Sequence, residues 1–292
     1  MNSTDERNFR SQYYGKVGFR RGDEKRSLEP LLGEVPADAG RLAQAVRTAL
    51  QLPAMYRPLV WKLLLKVQPC HPEAAEFVTA RRRETCDDTE HMLRLLGHVT
   101  DDTPPALVHW LGWLLNSGRL VAMDAAQIDD QNSAPQLQVA ELVADLFDGA
   151  AERCWVSWRL WTLAAGALKL LPGQLPWLTA QLEREQPALA AHLSQLGVLS
   201  AERDSPLRHW AERLFCGILP GSSVERLVDR LVAGAERILP LTAVSLLLTH
   251  SRALMACTDP ADARRLLLHV QPEDTDRVFN WALDSWTKLS KV

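Results

Sequence analysis

Apolar residues along this chain recur at three- and four-residue intervals, and polar and charged residues fill the positions between them. Runs alternating with period two and rich in Val, Ile and Thr are absent, as is an Asn-Gly hairpin signal. The spacing predicts helices near 8–15, 25–32, 38–51, 54–67, 73–98, 105–116, 136–168, 177–196, 206–217, 223–233, 235–255, 260–269 and 274–289. Punctuation agrees. Thr103-Pro104-Pro105, Ser205-Pro206 and Asp259-Pro260 place a capping side chain before a proline suited to a first helical turn. Ser222-Ser223-Val224-Glu225 reads as a capping box. Two segments read as loops: Gly15–Gly22, with a small basic cluster, and Asp124–Pro135, polar and acidic. The expected fold class is all-α.

The apolar pattern is widest over Leu107–Leu115. On a helical wheel Leu107, Leu111, Leu114 and Leu115 form the centre of the arc, with Trp110 and Trp113 on one side and Val108 on the other. The arc covers roughly 220°, whereas a helix packed on one neighbour needs about 100°. Two readings follow: an interior helix covered on most sides, or a partner-binding face for another protein's helix. Trp155, Trp158 and Trp161 recur every three residues as a slanting stripe, expected in the core.

Composition adds boundaries. The 292 residues are 47% hydrophobic and 24% charged with a formal net charge of −3, an ordinary globular profile without the basic stripe that nucleic acid requires. The N-terminal MNSTDERNFR lacks the apolar core of a secretory signal, and the most apolar run, Ile238–Leu248, falls short of the roughly 20 residues a bilayer demands. Five cysteines and eight histidines are scattered without zinc spacing, so reduced structural thiols of a cytoplasmic protein are expected, and no metal or cofactor. Neither a phosphate-binding loop nor a Gly-x-Ser-x-Gly elbow is present. Adjacent acids such as Asp87-Asp88, and the run Arg81-Arg82-Arg83, read as solvated helix faces.

Three passages together resemble the TBC-domain family, helical proteins known mostly as GTPase activators for Rab proteins. Arg57-Pro-Leu-Val-Trp61 with Leu64-Leu65 is similar to the family's opening Arg-x-x-x-Trp helix. Phe215–Pro220, then Arg226-Leu227-Val228-Asp229 and Gly234, is similar to its late motif, and the apolar helix 238–248 follows as it does there. Asn8-Phe9-Arg10-Ser11, Tyr13-Tyr14, Lys16–Arg20 and Ser27-Leu28-Glu29 resemble a narrower branch, whose members work beside hamartin and tuberin in the tuberous sclerosis complex. The resemblance implies a two-lobed helical fold: an N-terminal extension over 1–35, a TBC domain over 36–235, and helices over 236–292 completing the second lobe. It implies Arg57, Trp61, Arg226 and Asp229 as structural motif residues. The implied partners are the hamartin coiled coil and, through the complex, tuberin, which activates Rheb and restrains mTOR signalling. A cytoplasmic location with recruitment to lysosomal or vesicle surfaces is implied too.

Active members of the family use an Ile-x-x-Asp-x-x-Arg arginine finger and a Tyr-x-Gln glutamine, and an arginine finger contributes about 10³–10⁵ in rate. None of Tyr13, Tyr14 and Tyr56 is followed at the second position by glutamine, and no phenylalanine is. Arg94 and Arg119 lack the aspartate three residues before them. Val35-x-x-Asp38-x-x-Arg41 matches in letters but precedes Arg57. A non-catalytic subunit is the expectation. A Rab activator with a substitute finger such as Arg119, or a Rab-binding effector, are the alternatives.

Overall fold

The computed structural model describes residues 21–289 apart from Leu50, Asp124, 132–133, Pro135 and 269–274; of some further residues only the backbone is described. The motif passages at residues 8–20, the helix expected at 8–15 and most of the Gly15–Gly22 loop lie outside them; Arg21 and Gly22 already belong to a helix. In chain order the helices are α1 (Arg21–Gly33), α2 (Ala39–Thr48), α3 (Arg57–Leu64), α4 (Ala75–Leu95), α5 (Pro105–Asn116), α6 (Ala125–Asp130), α7 (Leu137–Leu146) and α8 (Ala150–Glu185). They continue as α9 (Pro187–Gln195), α10 (Pro206–Glu212), α11 (Gly221–Val232), α12 (Ile238–Thr249), α13 (Ser251–Ala256), α14 (Pro260–Leu268) and α15 (Thr275–Leu289). Among the described residues there is no β-strand, only an isolated bridge between Cys216 and Leu219.

The spine is α8, 36 residues and about 54 Å long at 1.5 Å per residue. It packs against α4, α5 and α7, and also against α9, α10 and α12, so it runs between both groups of helices. This helix corrects the sequence expectation twice. The helix expected over 136–168 is interrupted: α7 ends at Leu146 and Phe147 turns to extended backbone. The break expected after 168 is absent, because Pro172 and Pro176 sit inside α8, both on exposed positions. There the carbonyls that the prolines cannot serve open toward water, so the helix survives two breakers.

Caps differ as well. Asp38 closes α2 by accepting from the N–H groups of Gly40 (2.9 Å) and Arg41 (3.0 Å), and Ser205 accepts from Leu207 N–H (3.2 Å). Asp259 does the same for Ala261 at 3.1 Å. Thr103, by contrast, accepts from Thr100 N–H at 2.8 Å, and α5 begins after Pro104 with no side-chain cap. The capping box at Ser222 does not form. Helix α11 starts at Gly221 after Pro220, and Glu225 is drawn to Arg57 instead. The polar segment 124–135, expected as a loop, contains the short helix α6.

The tryptophan stripe on α8 does more than fill space. Trp155 Nε1–H donates to the Arg82 carbonyl (3.0 Å), Trp158 to His109 (2.8 Å) and Trp161 to Gln136 (3.1 Å). Each indole thus ties the spine to a different segment, and the rings of Trp158 and Trp161 are buried in the core. Trp161 also meets Trp110 edge-on at 5.0 Å, and Trp110 stacks on Trp113 at 5.0 Å.

Candidate functional site

The two sequence passages that carry the family resemblance meet in space. Arg57 opens α3 and Asp229 lies in α11; the pair is buried, at 3% and 0% exposure. Arg57 Nε and Nη2 donate to the two oxygens of Asp229, each at 2.9 Å, the fork geometry that matches guanidinium to carboxylate. Nη1 donates to Glu225 at 2.7 Å, Nη2 reaches the Leu52 carbonyl at 3.3 Å, and Trp61 Nε1–H donates to Asp229 at 2.8 Å. Arg57 and Trp61 are four apart on α3, and Glu225 and Asp229 four apart on α11, so both helices present a matched pair on one face. Burial disfavours the Arg57 charge, but the hydrogen bonds and charge of Asp229, with Glu225, outweigh it and hold the guanidinium above its ordinary value. Burial pushes the Asp229 carboxyl up, with Arg57 and the Trp61 N–H pulling against it.

Arg226 does not join this group. It points to α15, where its guanidinium stands 4.8 Å from the centre of the Phe279 ring and donates to Asn280 at 3.3 Å. Glu225 takes the place in the lock, and Arg230 extends it by donating to the Val46 carbonyl (2.9 Å) and that of Ala49. Glu225 was legible in principle, as an acid one helical turn before Asp229. Every polar atom of the Arg57–Asp229 contact is turned inward and satisfied, so the lock holds α3 to α11 and offers nothing to a substrate.

The face expected to receive a partner is filled from within. Leu107, Trp110, Leu111, Trp113 and Leu114 are buried, Leu111 at 1% exposure, and Val108 and Leu115 are half-buried against the same core. Helix α5 packs on α4, α7 and α8, which together cover its wide apolar arc. The interior reading is the one the fold adopts for the five buried side chains, which pack on the chain's own helices.

The residues weighed as fingers have other partners. Asp38 caps α2, and Arg41 pairs with Glu34 at 2.6 Å. Arg94 pairs with Glu90 at 2.7 Å and with Asp101. Arg119 is exposed, its guanidinium 4.7 Å from the centre of the Trp113 ring. Arg82 departs from the solvated face expected for 81–83. It is half-buried, lies over Trp155 at 4.6 Å and donates to the Lys66 carbonyl, and burial pushes its pKa down. Among the described residues no group of three or more His, Cys, Asp or Glu side chains is placed to hold a metal ion, and no helix is long and apolar enough to cross a membrane.

A group of exposed apolar side chains lies along α4 and at its C-terminal end. Phe77 is 65% and Leu95 68% exposed, and Met92 and Leu96 beside Leu95 are exposed as well. Eighteen residues are five full helical turns, so Phe77 and Leu95 stand on one line along the helix, about 27 Å apart. Between them on the same face are Arg81, Glu84 and Asp88, all exposed. Arg81 pairs with Glu84 at 2.5 Å and its guanidinium lies 5.5 Å from the Phe77 ring centre. The result is a stripe with apolar ends and a charged middle.

No family model matches the chain. Its sequence is 33% identical over 289 residues to human "TBC1 domain family member 7", covering 99% of this chain and 97% of that protein. The zebrafish (Danio rerio) protein of the same name is 30% identical over 293 residues with the same coverage. The fold is similar to the crystal structure of the Ypt/Rab-GAP domain of Gyp1p, with a TM-score of 0.60 over 92% of this chain and 98% of that one, at 13% identity.

Proposed function

The chain belongs to the TBC-domain family, alongside relatives named TBC1 domain family member 7, and on that premise we propose that it is a non-catalytic subunit that docks a coiled coil. The partner is the hamartin coiled coil of the tuberous sclerosis complex. There the chain supports tuberin-dependent GTPase activation of Rheb and so restrains mTOR growth signalling, in the cytoplasm and at the lysosomal or vesicle surfaces to which the complex is recruited.

The observation that carries the reading is the α4 stripe. A coiled-coil helix presents apolar side chains at three- and four-residue steps flanked by charges. Phe77 at one end, and Met92, Leu95 and Leu96 at the other, supply apolar contacts about 27 Å apart. Arg81, Glu84 and Asp88 between them supply the charges that fix register. Docking of this kind needs exposed apolar surface and no acid–base group. The lack of a Tyr-x-Gln pattern, and of an Asp-x-x-Arg pattern between Arg57 and Asp229, supports the absence of a finger mechanism.

The test is binding of the hamartin C-terminal coiled coil to Phe77→Asp/Leu95→Asp. Affinity is expected to fall at least tenfold with an unchanged melting temperature; undiminished binding removes α4 from the interface. The exposed Arg119 keeps a Rab activator as the second reading. Faster GTP hydrolysis by any member of a Rab panel with the purified protein alone, lost in Arg119→Ala, would replace the first.

A further inference from the structure

Beside the core, α4, α5 and α8 enclose a cavity of about 380 Å³ whose lining includes Cys86 from α4 and Cys154 from α8. We propose that Cys86 and Cys154 are a peroxide-oxidisable dithiol: Cys86 is attacked by hydrogen peroxide from the cavity, and Cys154 resolves it to a disulfide joining α4 to α8. Both are free thiols, Cys86 half-exposed and Cys154 buried at 4% exposure. Both line the same cavity, and their helices are tied beside them, where Trp155, next to Cys154, donates to the Arg82 carbonyl one turn before Cys86.

Accessibility orders the two roles. Cys154 is buried, and the neighbouring Cys86 thiol and burial both push its thiol up, whereas Cys86 is half-exposed, so an oxidant meets Cys86 first. Cys86 faces the cavity, where a small oxidant reaches it. The helices on either side are pinned. That Trp155 bond holds one side. On the other side, Thr89 and Trp158 both crowd Gly112, each 3.1 Å from where a β-carbon would stand. The helices therefore hold their spacing while the sulfurs react.

The chemistry balances in two steps. The Cys86 thiol gives up its proton and the thiolate attacks one peroxide oxygen; the O–O bond breaks, leaving a sulfenic acid, and the departing hydroxide takes that proton to become water. Cys154 sulfur then attacks the sulfenic sulfur, the S–O bond breaks, and the hydroxide leaves as water with the Cys154 proton. Two thiols lose two electrons and one peroxide becomes two waters. A dithiol reductant reverses the change.

The experiment is peroxide titration of the full chain followed by a non-reducing digest and mass spectrometry. The expected product has two fewer alkylatable thiols and a peptide linking Cys86 to Cys154. Its melting temperature rises by about 5 °C, since the link closes a long loop, and dithiothreitol abolishes the rise. In Cys154→Ala, Cys86 should instead be trapped as a dimedone adduct. The wild-type digest decides alone if that variant does not fold. Cys86 oxidised to the sulfinic acid while Cys154 stays alkylatable after denaturation, or either cysteine linked to another, overturns the proposal.

Discussion

The Arg57–Asp229 lock and the α4 stripe are opposites in the use of side chains. At the lock, charged groups are buried and every hydrogen bond between the two helices is made. On α4, apolar groups as large as phenylalanine and leucine stand in water. A buried bidentate pair holds a fold only because its bonds are complete, and complete bonds leave no group free for chemistry. An exposed apolar stripe buries little surface against its own chain, and contiguous exposed apolar surface is the kind that a protein contact covers. The difference teaches that the residues carrying the family resemblance are the wrong place to look for this protein's activity.

Four measurements break or sharpen that contrast. The largest effect is expected from Leu111→Asp, which puts a carboxylate where all neighbours are apolar. Loss of more than about 4 kcal/mol, seen as unfolding by circular dichroism, is the outcome; a folded variant would return α5 to the list of surfaces. Next is Asp229→Ala, which removes the bidentate partner of the buried Arg57 and leaves it only the partly exposed Glu225. A loss of about 3–5 kcal/mol in a urea melt is expected, and less than 1 kcal/mol would mean that water reaches the lock.

A smaller effect belongs to His109 on α5, whose pKa is pushed down to about 4 from 6.5, chiefly by burial, with Glu90 opposing and Arg153 adding to it. Because the folded value is depressed, the unfolded chain takes up the extra proton as pH falls below 7, and stability drops toward pH 4. Between pH 7 and pH 5 the loss is about 1–2 kcal/mol. His109→Gln should flatten that part of the slope, and an identical slope in the variant would place the titration elsewhere. The smallest expected stability effect is that of Leu95→Asp, within about 0.5 kcal/mol. A larger loss would show that the stripe packs on the chain itself and would dissolve the contrast.

Much of the fold was legible. The three- and four-residue period and the caps at Ser205 and Asp259 are local, and they formed as expected. Spacing also paired Arg57 with Trp61 on one face. Failures came where a tertiary partner outbid a local one. Glu225 had a capping box available and took a buried guanidinium instead, because a charged bond in the interior outweighs a cap at a wet helix end. Pro172 and Pro176 read as a stop, but their exposed positions let α8 continue.

By itself, then, the sequence determined an all-helical chain, the helix faces that must be covered, and the absence of both finger patterns between Arg57 and Asp229. Periodicity measures how much apolar surface a helix carries, and it does not say what covers that surface. Only the packing of α4, α7 and α8 around α5 sent Leu107–Leu115 inward. The same packing left Phe77 and Leu95 outside, on a helix whose interspersed charges hide the stripe from any short window. It also turned Arg226 toward Phe279 and brought Cys86 and Cys154 to one cavity, pairs that are distant in the chain and meet only when the helices close.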